Sequence, residues 1–239
     1  MMLAPIVRTR VSNSDDSIKP LFGLKHPASG VLHSVGFVGA ILGLVSLLSF
    51  PVPGKTWEYF VSSTVFCGGM ALLYLSSSSY HLLTANQRIT GILRRIVHSM
   101  IFLFIAGCIT PFCLTASPAG VKFMLLGTIW VLAVAGVCST ALLARRSRWL
   151  RVGAYLVTGG LGALVLAQVS GTVSPQRFAW ILAGCLAYVL GALVYALKWP
   201  NPFPKYFGFH EIWHVFVLLG SGCHFVAVKD HLISVFTTG

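Results

Sequence analysis

Seven apolar runs, each long enough at about 20 residues to cross a bilayer, divide this chain, and nothing else in it limits the fold so tightly. They cover about 30–50, 57–83, a third that begins after Arg94-Arg95 and closes near Thr110-Pro111, then 120–143, 149–169, 177–197 and 209–228. Hydrocarbon offers no hydrogen bonds, so each run must satisfy its own backbone, and each therefore predicts a helix. The sequence thus predicts an all-α polytopic membrane protein: a polar N-terminal tail over 1–28, then a seven-helix transmembrane domain over 29–236. With 56% hydrophobic and only 9% charged residues, a soluble domain is excluded.

The tail, with Ser12-Asn-Ser-Asp-Asp16, Lys19-Pro20 and His26-Pro27, reads as a mobile segment that ends in an interfacial stretch at 21–24. It lacks the apolar core of a signal peptide, so the first span is expected to serve as the insertion signal. A net charge of +12 raises the possibility of nucleic acid, but the basic residues sit in short clusters between apolar runs and report topology instead. Nucleic acid is excluded as a partner on that ground, and membrane lipids are the expected neighbours. Only Lys55, Lys122, Arg177 and Lys229 of the 17 Lys and Arg fall on one side. The positive-inside rule then puts the N-terminus in the cytoplasm and the C-terminus outside, in a multi-pass protein of the plasma (inner) membrane. Six cysteines lie within or at the edges of the runs with no C-x-x-C pair, as small hydrophobes. Glycines at helical spacing (Gly36, Gly39 and Gly43; Gly184 and Gly191) predict close helix contacts. Oligomeric state is not written in the sequence.

His210 and His214 stand one helical turn apart on a shared face at the mouth of the seventh run, where two imidazoles can reach one metal ion. The topology places His33, His81 and His98 at a similar depth near the same leaflet. For His81, His210 and His214 the reading is a metal site. For His33 and His98 a ligand role and an imidazole satisfied by a backbone carbonyl stay open. His224 lies about 15 Å further across by helical rise, His231 falls outside, and His26 belongs to the tail. Ser77 is one turn from His81 on the same face, placed to bond a water held by a metal there. The tract Ser76–Ser79 reads equally as a polar helix contact.

Three strings carry a resemblance: Ser77-x-x-x-His81; the run from Arg95-Ile-Val-His98 to Ile-Thr-Pro-Phe112; and Phe207-Gly-Phe-His-Glu-Ile-Trp-His-Val-Phe216. Over about 25–230 the chain resembles the hemolysin III branch of the progestin and adipoQ receptor family, which is related to the alkaline ceramidases. The resemblance implies a zinc ion near the cytoplasmic leaflet held by His81, His210 and His214, with Ser77 beside its water and lipid-amide hydrolysis as ancestral chemistry. Two positions depart from the family pattern. Val97 stands where the family has an aspartate, and Lys25-His26 and Ser29 precede His33 where an acidic residue and an asparagine are usual.

Glu211 is the remaining carboxylate near the cluster. It reads either as the proton acceptor that amide hydrolysis requires or as a charge favourable to the start of the last helix. Three functions follow: a zinc-dependent hydrolase of lipid amides or esters; a receptor-like, sensor or membrane-perturbing protein with a degenerate site; and an intramembrane protease. The last takes His210-Glu-Ile-Trp-His214 as H-E-x-x-H and needs a third ligand from another helix, commonly an aspartate.

Overall fold

The computed structural model describes residues 26–116, 119–143, 147–168 and 173–238. The expected tail, its stretch at 21–24 and the basic residues Arg145 and Arg146 lie outside the described residues. Seven helices follow one another: α1 (Pro27–Ser49), α2 (Trp57–Leu82), α3 (Gln87–Leu114), α4 (Ala119–Leu143), α5 (Arg148–Ala167), α6 (Pro175–Leu197) and α7 (Phe209–Thr238). All seven are long and apolar enough to span a membrane. No strand occurs among the described residues; an isolated bridge joins Phe203 to Phe207 in the α6–α7 connector.

Three boundaries differ from the apolar runs, each for a local reason that hydropathy alone leaves out. Helix α1 starts at Pro27, whose missing N–H costs nothing in a first turn, so His26 is an N-cap residue, not tail. Helix α3 starts at Gln87, well before Arg94, because the Asn86 side chain accepts the Ile89 N–H at 3.0 Å. It also runs through Pro111 to Leu114, where Thr110 bonds the Ala106 carbonyl at 2.8 Å and Trp130 donates to the Thr110 hydroxyl. Helix α7 continues past Val228 to Thr238. His231, expected outside the spans, is wholly buried in it, with Nε2 2.7 Å from Thr115 Oγ1.

Helix α1 packs on α2 and α7, α2 on α3, α3 on α4, and α6 on α7, while α3 also touches α5 and α7. About half of the apolar stretch of α2 and of α3 is buried, against 22–28% for α1, α4, α5 and α6, so α2 and α3 are the inner helices with α7 beside them. The core between them holds Phe66, Phe104, Phe112, Ile129, Val228 and Leu232, with Cys67, Cys108 and Cys113 as unpaired fillers. The outer faces stay apolar, as Val31, Val35, Val38, Leu42 and Val45 of α1 illustrate. Such a surface is stable only in lipid.

Close approach explains most of the spaced glycines. A methyl group at Gly36 would sit 2.7 Å from Leu218, and one at Gly191 would sit 2.6 Å from Phe216. Gly39 is the exception, meeting nothing within 4 Å. It borders a cleft of about 180 Å³ between α1, α2 and α7, lined also by Gly36, Ala40, Met70, Tyr74 and Ser221.

Candidate metal centre

Because the helices alternate in direction, the end of α2 and the starts of α1 and α7 meet at one end of the bundle. His81 occupies the last turn of α2, and His210 and His214 the first turns of α7. One ring nitrogen from each lies within 4.8 Å of the other two. Their ring centroids are 5.0 Å (His81–His210), 4.9 Å (His81–His214) and 4.8 Å (His210–His214) apart. His81 and His214 are buried, at 3% and 2% exposure, and His210 is partly so.

This geometry fits a divalent ion. Tetrahedral zinc with Zn–N near 2.0–2.1 Å sets its nitrogens about 3.4 Å apart, a contraction that side-chain rotation can supply. The Nδ1 atom of His214 is buried without a hydrogen-bond partner, a state costing about 1–3 kcal/mol that a ligand-binding role explains. The three imidazoles bring no negative charge to the ion, so the site depends on nitrogen donors alone.

The remaining expected residues are sorted by their contacts. Ser77 is buried one turn before His81 and shares its helix face. Its neighbours in the tract do packing work: Ser76 bonds the Leu73 carbonyl, and Ser78 pairs with Ser34 of α1 at 2.7 Å. Glu211 takes the capping arrangement. Its Oε1 accepts from Ser29 Oγ at 2.6 Å, and its Oε2 from the Gly208 N–H at 2.8 Å. With Gly208 as N-cap and Glu211 at the third helical position, this is half of a capping box tied across to α1.

The histidines at this depth divide. His33 joins the cluster: its ring stacks on that of His214, with centroids 3.8 Å apart and planes at 24°. His98 turns away to α4 and α5, lining a small recess with Phe102, Thr140, Arg151 and Tyr155. Two contributors escaped the sequence reading. His26 donates its N–H to the His81 carbonyl at 2.9 Å and sets its ring 5.8 Å from that of His81. Ser29, wholly buried, holds Glu211. His26-Pro27 was the available signal, since proline favours the first helical position and the preceding residue is then a cap. Among the described residues the other carboxylates, Glu58 and Asp230, pair with Lys122 and Arg177 at the far end of the bundle. None of the described residues thus supplies the acidic third ligand that the protease reading looks for in this cluster.

A bundle of seven apolar helices with a buried three-histidine cluster at one end defines an integral multi-pass membrane protein with a potential metal centre. The chain belongs to the haemolysin-III related family, whose profile matches residues 24–225. It is 34% identical to the hemolysin-3 homolog of Bacillus subtilis (strain 168), over 87% of this chain and 94% of that protein. It is 30% identical to hemolysin-3 of Bacillus cereus, over 86% and 91% respectively. An adiponectin receptor protein of Drosophila melanogaster is 23% identical over 84% of this chain and 48% of its own length, placing the progestin and adipoQ receptor family among its relatives.

Proposed function

We propose that this protein is a zinc-dependent membrane hydrolase acting on lipid amides or esters at the cytoplasmic leaflet. The observation that carries the reading is the convergence of His81, His210 and His214 from two helices on one buried point. Three protein ligands with a fourth position left open is the arrangement of catalytic rather than structural zinc. When bound, the ion supplies Lewis acidity toward a carbonyl oxygen and an acidified water.

The chain's own residues do the rest. The Ser77 hydroxyl, on the His81 face, orients the oxygen that reacts. Glu211 fixes the start of α7 against α1 through Ser29 and so holds His210 and His214 in register. Its carboxylate is also the proton acceptor within one residue of a ligand, provided a lone pair not used by Ser29 or Gly208 reaches the reacting water. The cleft beside Tyr74 lies among apolar side chains and suits a hydrocarbon tail. The distribution of Lys and Arg supports a cytoplasmic position for this end, in the inner membrane.

A second reading has its own support. Val97 supplies no carboxylate, and both Glu211 oxygens already accept hydrogen bonds, from Ser29 and Gly208, which favours a receptor-like, sensor or membrane-perturbing protein that keeps the metal without turnover. Metal analysis of the purified protein, combined with turnover assays on ceramides, N-acyl amides and phospholipids, separates the two. The hydrolase reading expects near-stoichiometric zinc and a turnover that His210→Ala abolishes. Full zinc with no turnover on any of these substrates would leave only the second.

A further inference from the structure

The geometry points to His33 as the positioning residue that hydrogen-bonds the exogenous oxygen or nitrogen ligand at the position His81, His210 and His214 leave open on the metal. The inference rests on the metal site proposed above and is independent of hydrolysis. His33 is 4% exposed, and neither of its ring nitrogens has a hydrogen-bond partner. Burying an imidazole with both nitrogens unsatisfied is costly, so its partner comes from outside the protein itself.

Three polar side chains near it are committed elsewhere. Ser29 bonds Glu211, Ser34 pairs with Ser78, and the Tyr74 hydroxyl donates to Ser221 at 2.7 Å. Tyr74 meets His33 only through its ring, at 5.0 Å between centroids. The partner of His33 is therefore something that enters the site.

The stack on His214 says where that partner sits and what His33 is not. Imidazole lone pairs lie in the ring plane, so two rings only 24° from parallel and 3.8 Å apart do not aim at a common ion. His33 is thus no fourth metal ligand. The stack instead sets the His33 ring beside the one that His214 presents, and the inference is that a ligand on the open position comes within reach of a hydrogen bond from it.

Cobalt(II)-loaded protein in detergent micelles, titrated with azide and followed by visible absorption, tests this. His33→Phe keeps an aromatic face on His214 but removes both nitrogens. It should bind cobalt within about threefold of the unmodified protein yet bind azide about tenfold more weakly, with His33→Gln restoring part of that loss. His33→Leu serves the same comparison if the phenylalanine variant does not fold. Azide affinity within about twofold of the parent in a nitrogen-free variant would overturn the assignment and leave His33 as a packing residue. Loss of cobalt itself would also overturn it, because His33 would then be needed for the ion. An unmodified protein that takes up no cobalt would sink the metal centre as a whole, an outcome distinct from failure of His33 alone.

Discussion

The two ends of the bundle both bury histidine, and they use it differently. At the far end His231 lies wholly buried against Thr115 and Phe112, with Arg177–Asp230 and Lys122–Glu58 pairs nearby. The charged groups there are paired and His231 has a hydroxyl partner at Nε2, with its Nδ1 the buried nitrogen left over. At the near end His33, His81, His210 and His214 crowd together, and the one carboxylate beside them among the described residues, Glu211, is used for capping. An imidazole with a hydroxyl partner fastens two helices, whereas imidazoles gathered around one another need a cation or ligand to share. Residue type is the same at both ends; the neighbours decide the role.

Substitutions that strike one end should leave the other's property intact, and they run from large effects to small. His214→Ala is expected to cost at least about 100-fold in zinc affinity, measured by equilibrium metal content after chelator competition, because a ligand is lost from a site that has only three. Retained zinc near one equivalent would break the contrast between the ends. Glu211→Ala should lower stability in micelles by about 2 kcal/mol, since a cap and a charge-assisted bond to Ser29 both go. Its zinc affinity should fall only a few-fold, as all three imidazoles remain. Thr115→Val leaves His231 Nε2 without its partner and should cost about 1 kcal/mol in thermal unfolding, with zinc content unchanged. A fall in zinc content on Thr115→Val would show that the ends are coupled. Asp230→Asn should shift stability by no more than about 0.5 kcal/mol, because Asp230 is 56% exposed and an ion pair in such a setting is heavily screened.

Part of the near end could be read from residues alone. His210 and His214 share a face because helical periodicity is local, and a three-residue gap fixes it wherever the helix packs. Glu211 is a fair contrast: its two sequence readings differ only in whether Ser29 and Gly208 lie within reach. Ser29 comes from a helix 182 positions away. His98 shows the limit most clearly. Its depth matches that of His33, yet it faces α4 and α5 while His33 faces α7, because hydropathy records how far along a span a residue lies and not the direction it points around the axis.

What the sequence by itself determined, then, is seven spans, their order and the helical pairing of His210 with His214, since each follows from run length or from spacing within one helix. Only the tertiary structure decided that His33 joins His81 and that pair, that His98 does not, and that α7 extends beyond its apolar run to Thr238. Those outcomes depend on how helices rotate and dock against one another. The contacts that set rotation are spread over the whole bundle and leave no mark in any single stretch of chain.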